Sequence, residues 1–188
     1  MQNIIKSIDQ TILLYLNHLV QKWGFVNKFF AEYLIYSVPI VFIWLWMYDQ
    51  KSKKVAMRAF VSIIVAWPIL AQIVGNFIHR DRPFNLGGVQ ELIFHRPTYS
   101  FPSDHAAALF AVAASFWFSG EKKLGIIFLI IAITVSTFRI ATGLHWPSDI
   151  IGGAIVGILA AYLVDLFDKP LNIIYELVLK LARVLRLA

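Results

Sequence analysis

The chain of 188 residues contains no cysteine. That excludes a disulfide, a thiolate nucleophile and a Cys-type metal site. Charge is scarce too: charged residues make up 15% of the chain, against about 25% in ordinary soluble domains. There is no internal repeat and no low-complexity segment. Met1 to Gln10 lack the apolar core and small-residue cleavage site of a signal peptide. What is present is apolar: 59% of the residues are hydrophobic and the mean hydropathy is +0.70. This is the composition of an integral membrane protein, with length enough for one domain. The formal net charge is +6 and the pI about 9.6. In a soluble chain that would suggest nucleic acid. Here the positive-inside bias and attraction to anionic lipid account for it, and no nucleic-acid partner is expected.

Crossing a membrane takes roughly 17 to 25 apolar residues. On hydropathy, spans are predicted at Glu32 to Tyr48, Val55 to Ile78, Asp104 to Phe118, Leu124 to Gly143 and Asp149 to Phe167. Pro68 lies inside the second span, where neighbouring helices can satisfy the freed carbonyl. Gly153 and Gly157 form a small-xxx-small pair suited to close helix packing. Before the first span, Ile4, Ile5, Ile8, Ile12, Leu16 and Leu19 recur at helical spacing, interrupted by Lys6, Asp9, Gln10, Asn17 and His18. Met1 to Phe30 therefore reads as an amphipathic helix in the interface, with a degenerate span as the alternative. Pro170 to Ala188, with Lys180, Arg183 and Arg186 opposite leucines, reads as a second one. The expected fold is an all-α membrane bundle of about five spanning helices, with interfacial helices at both ends. Residues 1–188 are expected to form one domain, with a catalytic core at about 55–167. The connection from His79 to Ser103 is polar but holds Phe84, Leu92 and Phe94, so it is expected to fold onto the membrane surface.

Three polar clusters stand at span ends: Arg82-Pro83, then Pro102-Ser103-Asp104-His105, then Arg139 with His145 and Asp149. Alternating helices bring all three to one face of the membrane. Ionisable residues there are costly and default to function. The chemistry suggested is attack on a phosphate. Ser103 caps a helix start, whose free N–H groups and dipole favour an anion. Arg82 and Arg139 offer planar forks that match phosphate oxygens. His145 and Asp149, four apart at a helix start, share a face. A carboxylate bonded to one imidazole nitrogen leaves the other as a nucleophile in a fixed tautomer. His105 can then protonate the leaving oxygen and later activate water.

Each residue alone has a plainer reading. Either arginine could simply snorkel to the interface. His145 with Asp149 could be a structural bond at a helix cap. His105, His145 and Asp149 could ligate zinc, although zinc would leave both arginines and Ser103 unexplained.

Together these residues resemble the three-part signature of the type 2 phosphatidic acid phosphatase family, which also includes vanadium haloperoxidases. Its parts are a lysine, six residues and Arg-Pro; Pro-Ser-Gly-His; and Ser-Arg, five residues, His, three residues, Asp. Arg82-Pro83 matches the end of the first part, and Pro102, Ser103 and His105 match the second. Arg139, His145 and Asp149 match the third with both spacings kept. The resemblance implies that His145 is the phosphate-attacking nucleophile and that no metal or other cofactor is required. It implies His105 and Asp149 as the other catalytic residues, and Arg82, Ser103, Arg139 and Asp104 at the phosphate. Three positions depart from the pattern: Gly75 stands where the lysine falls, Asp104 replaces the motif glycine, and Phe138 replaces the serine. Arg80 is the candidate for an extra cation in place of the lysine.

Asp104, the Arg-Pro-Phe at Arg82 to Phe84 and the small size look like the bacterial undecaprenyl-diphosphate phosphatases linked to bacitracin resistance. That likeness implies a polyprenyl diphosphate substrate, hydrolysed through a phosphohistidine to recycle the carrier lipid of wall synthesis. The alternatives are another lipid phosphate (phosphatidylglycerol phosphate, phosphatidic acid or lipid A phosphate), a lipid transporter, or a non-catalytic lipid-binding relative. A multi-pass protein of the bacterial cytoplasmic membrane is expected. Its catalytic face should point outward, because Lys51, Lys53, Lys54, Arg58, Lys122 and Lys123 then lie inside.

Overall fold

Short polar signals set where the helices begin. The Asp49 carboxylate accepts the Ser52 amide at 2.8 Å and opens one helix; Ser103 caps another, its hydroxyl 3.5 Å from the Ala106 amide. Pro147 sits in the first turn of a third, where no N–H is needed, and Asp149 accepts the Trp146 amide at 2.8 Å. The computed structural model describes residues 2–85, 87–94 and 98–185, and among them there is no strand. His95, Arg96 and Arg186, part of the expected connection and tail, lie outside the described residues.

In chain order the helices are α1 (Gln2–Val20), α2 (Gly24–Trp46), α3 (Gln50–Phe77), α4 (Asp104–Phe118), α5 (Lys122–Ala141), α6 (Pro147–Leu166) and α7 (Asp168–Val184). Helices α2, α3, α5 and α6 are long and apolar enough to cross a membrane, and α4 is a shorter apolar helix of 15 residues. The all-helical membrane bundle is therefore as expected. Helix α2 winds through a π turn at Phe29–Tyr33 and a 3-10 turn at Leu34–Tyr36. Helix α3 has a π turn at Val65–Ala71 around Pro68, which has no N–H to give to the ladder.

The first thirty residues differ from the single interfacial helix expected of them. Helix α1 stops at Val20, the Trp23 amide returns to the Val20 carbonyl at 2.9 Å, and Gly24 takes φ +30°. Glycine bears that conformation without a Cβ clash, so the chain turns there and Gly24 to Ala31 join the first span. Helix α1 itself lies across one end of the bundle. Its Asp9 touches Ser148 at the start of α6, and its Asn17 bonds the Ala141 carbonyl at the end of α5. A crossing helix would instead follow its neighbours through the membrane.

Helix α4 is the centre. Ala106, Ala107, Leu109, Ala111, Val112 and Phe116 along it are buried. It meets α6 closely because Gly153 and Gly157 have no Cβ: an added one would stand 2.5 Å from the Ser103 carbonyl oxygen and 2.4 Å from that of Ala107. Away from this seam, Leu109, Val112 and Phe116 pack with Val38, Ala59, Phe128 and Val135 of α2, α3 and α5. The outer sides of the spans carry Ile40, Ile43, Ile130, Ile133, Ile151 and Ile155, all exposed and suited to lipid. At the end of the bundle away from Ser103, Arg58 pairs with Asp165 and, at 3.1 Å, with Asp168, while Lys54 meets Glu176 at 2.6 Å. These pairs hold α7 against α3 and α6. Its Tyr175 and Leu179 turn inward while Ile173, Leu177 and Val184 are exposed.

Candidate active site

The three polar clusters meet at the end of the bundle crossed by α1. The link between helix starts is direct, since the Ser103 amide donates to the Asp149 carbonyl at 3.1 Å. His145, 2% exposed, lies just before α6. Its Nδ1 is 2.9 Å from the Ser100 carbonyl. A carbonyl only accepts, so Nδ1 carries the proton and Nε2 keeps a lone pair. Arg82 Nη1 donates toward that lone pair at 3.3 Å. Asp149 Oδ2 stands 3.6 Å from Nδ1, so its influence on the ring is through charge, and the backbone carbonyl is the hydrogen-bond acceptor. The expected His–Asp hydrogen bond is thus replaced by one to Ser100, a partner that sequence spacing did not reveal because it is a main-chain group 45 residues away.

Arg82 is buried, and its hydrogen bonds among the described residues are all to neutral groups. Nε donates to the Thr98 carbonyl at 2.9 Å, Nη1 to the Leu144 carbonyl at 2.9 Å, and Nη2 to Thr98 Oγ1 at 2.9 Å and the Tyr99 carbonyl at 3.1 Å. With His145 these engage every N–H of the guanidinium. Burial pushes its basicity down from the ordinary range, while the carboxylates of Asp149, Asp104 and Glu91 push it back up, and the group stays cationic.

Arg139, 2% exposed on α5, is different. Its Nη1 bonds the Ala31 carbonyl at 3.3 Å and faces His105 Nε2 at 3.3 Å. Its Nε is buried with no hydrogen-bond partner among the described residues. A buried unmet donor on a cation is costly, and an anion would satisfy it. Of the two arginines, Arg139 therefore has the open edge, and Arg82 has a single N–H aimed at the reacting nitrogen.

Arg80 sits elsewhere than beside the phosphate cluster. Its guanidinium is held by Asp149 at 2.8 Å, Ser148 at 2.6 Å and Asp9 at 2.6 Å. Two carboxylates offset its charge, so it is not a spare cation at the position of the missing lysine. Gly75 lines a polar cavity of 580 Å³ with Gln72, Asn76, Asn85, Thr98 and Asp104. A Cβ at Gly75 would stand 3.2 Å from the Phe101 carbonyl oxygen, so this site is tight for any side chain. Asp104 accepts from Gln72 at 3.2 Å and also lines a second cavity of 650 Å³. That one is walled by Tyr33, Tyr36, Ile63, Trp67 and Ala108 and ends at His105 and Arg139. Among the described residues, no group of three His, Asp or Glu side chains is placed to hold a metal ion.

Reasoning from sequence did not find Thr98, Ser100 and Leu144, which act through backbone groups or one hydroxyl. Asp9 and Asn17, which interrupt the apolar spacing of α1 in the sequence, are the polar residues by which that helix docks.

Residues 55–170 match the model of the PAP2 superfamily. The chain belongs to the PAP2 superfamily. It is 31% identical to the bacitracin transport permease protein BcrC of Bacillus licheniformis, over 87% of this chain and 82% of that one. It is 30% identical to the putative undecaprenyl-diphosphatase YbjG of Escherichia coli, over 70% of this chain and 66% of that one. The fold is also that of a transmembrane PAP2-type phosphatidylglycerolphosphate phosphatase from Bacillus subtilis, with a TM-score of 0.64, 23% identity, and coverage of 89% of this chain and 88% of that one. As a PAP2 member with this helical bundle, the protein is a multi-pass membrane lipid phosphatase.

Proposed function

We propose that the protein hydrolyses the phosphoanhydride of a polyprenyl diphosphate, undecaprenyl diphosphate in a bacterial membrane, through a phosphohistidine at His145. The observation that carries the reading is the His145 ring, with its proton held toward Ser100 and its Nε2 lone pair facing Arg82. In the first step Nε2 bonds to the terminal phosphorus and the bridging P–O bond breaks. The polyprenyl phosphate leaves, its oxygen taking a proton from His105. Water then attacks the phosphohistidine, gives a proton to His105, and releases orthophosphate with His145 restored. Arg139 Nε and the amides after Ser103 meet the phosphoryl oxygens, where preorganised donors stabilise developing charge. The apolar cavity between α2 and α3 supports a lipid tail, since it ends at His105 and Arg139. The similarity to the putative undecaprenyl-diphosphatase YbjG favours a diphosphate over other lipid phosphates. The catalytic face points out of the cytoplasm in this reading, because Lys51, Lys53, Lys54, Lys122 and Lys123 lie at the other end of the bundle.

The test is phosphate release by purified protein from a panel of undecaprenyl diphosphate, phosphatidylglycerol phosphate, phosphatidic acid and lipid A. Undecaprenyl diphosphate should give the highest kcat/KM, and His145→Ala should abolish turnover in a folded protein. Normal release by His145→Ala would overturn the mechanism. Failure to release phosphate from any of the four would favour transport or lipid binding.

A further inference from the structure

Helix α1 reaches the catalytic carboxylate through one arginine. Arg80 Nη1 donates to Asp149 Oδ1 at 2.8 Å and to Ser148 Oγ at 2.6 Å. Its Nη2 donates to Asp9 Oδ2 at 2.6 Å. Asp9, 2% exposed, also accepts the Ser148 amide at 3.0 Å and the Ser148 hydroxyl at 2.5 Å. The Arg80 guanidinium lies 5.2 Å from the centre of the Trp146 ring, which fixes its plane. Asp149 in turn has its other oxygen on the Trp146 amide and faces His145. Asp9, Arg80, Asp149 and His145 thus form a continuous chain from α1 to the reacting imidazole.

A helix that only had to lie on lipid would have no reason to bury a carboxylate. Leu13, one turn on, packs on Ile140 and Trp146 without one. Burying a charge is costly unless it is paired, and Asp9 is paired with the same guanidinium that holds Asp149.

We infer that Asp9 is a positioning residue for phosphoryl transfer: it holds Arg80 and Ser148, which hold Asp149, whose charge supports His145 at 3.6 Å. This rests on the reading of His145 as the nucleophile. Without Asp9, Arg80 has one carboxylate in place of two and loses its fixed position between helices. Asp149 then follows Arg80, and the electrostatic support for His145 weakens when the ring becomes cationic on attack. Asn17 supplies the contrast. It holds the same helix, bonding the carbonyls of Gln90 and Ala141 at 2.9 Å each, but among the described residues it makes no hydrogen bond to Asp9, Arg80, Ser148, Asp149 or His145.

The experiment compares Asp9→Asn, Arg80→Gln, their double variant and Asn17→Ala in the purified full chain, with undecaprenyl diphosphate as the probe. Asp9→Asn should lower kcat about tenfold or more, by analogy with groups that orient a ligand's ring from behind. KM should change less than about twofold, since binding groups are untouched. Arg80→Gln should lose as much, and the double variant should be no worse than the worse single one, because both act along one path. Asn17→Ala should lower the thermal midpoint and keep kcat. A kcat for Asp9→Asn within about twofold of the parent would overturn the inference. So would multiplied losses in the double variant, or equal kcat losses in Asn17→Ala and Asp9→Asn. If Asp9→Asn does not fold, Ser148→Ala reads the same path, and an unchanged kcat there overturns it. Turnover by His145→Ala sinks the parent reading, whereas an inactive His145→Ala beside a fully active Asp9→Asn sinks this one alone.

Discussion

Gly153→Ala should cost far more turnover than the size of a methyl group suggests. The added Cβ would stand 2.5 Å from the Ser103 carbonyl oxygen and 2.8 Å from Ala106 Cβ, where ordinary contact begins near 3.4 Å. The shortfall is about 1 Å, and on the Ser103 side it falls on backbone that no rotamer change can move. That carbonyl accepts the Ala107 amide at 2.9 Å, the first bond of α4, and the Ser103 amide is bonded to Asp149. The methyl therefore wedges apart the two helix starts that carry Ser103 and His105 on one side and Asp149 on the other. Overpacking of this kind costs about 1–3 kcal/mol of stability. A misplacement of about 1 Å in a catalytic geometry costs about 100-fold in rate. Gly157→Ala meets Ala107 oxygen at 2.4 Å, one turn farther from the site. It should lose similar stability but only about tenfold in kcat, because a wedge there pivots the helices below the site. Gly87→Ala, with nothing within 4 Å, should change neither. The assay is phosphate release per folded molecule, with thermal midpoints measured on the same samples. Parent-level kcat in Gly153→Ala, or equal kcat losses at the two seam glycines, would refute the reasoning.

The two arginines should respond differently to Lys. Arg82→Lys gives up bonds to Thr98, Tyr99 or Leu144 and should lose about 2–4 kcal/mol of stability along with turnover, read by thermal unfolding. Arg139→Lys should lose turnover with a smaller drop in midpoint, because among the described residues its hydrogen bonds are made by Nη1. Activity should survive a strong chelator and be inhibited by vanadate, a mimic of pentavalent phosphorus; loss on chelation restored by zinc or magnesium would reverse that expectation. Gly87→Cys should be labelled in intact cells by an impermeant thiol reagent and Ser52→Cys should not, in a chain with no other cysteine; the opposite pattern would turn the catalytic face inward.

The bundle was legible because its spans are long apolar runs, and Ser103 and Pro147 stand at helix starts as capping rules expect, whereas the cap at Asp49 starts α3 at Gln50, ahead of the Val55 that hydropathy marks. The glycine pair was legible for the same reason, since small residues four apart have few other uses in a membrane helix. Helix α1 was harder. Its exposed Ile4, Ile5, Ile8 and Ile12 form the stripe that periodicity detects, yet they face away from the protein. The docking side is Asp9, Leu13, Asn17 and Val20, at steps of four, four and three. In water the polar side of a helix faces solvent. Here one face meets lipid and the other meets buried carbonyls and an arginine, so the polar residues point inward.

The residues of the site were legible by type and spacing, but their division of labour was not. Composition alone makes Arg80, Arg82 and Arg139 three equal cations. Their partners separate them. Arg80 is offset by Asp9 and Asp149, and so acts within the protein. Arg82 and Arg139 bond only neutral carbonyls, a hydroxyl and imidazoles among the described residues. A cation bonded to neutral groups keeps its charge for an anion, and at the buried end of a bundle that attraction is weakly screened. Two such charges suit a phosphoryl group in transfer. The missing lysine at Gly75 need not be replaced for that group: no cation lines the cavity beside it among the described residues, and the carboxylates of Asp81 and Asp104 there disfavour an anion, so the phosphoryl group is left to Arg82 and Arg139.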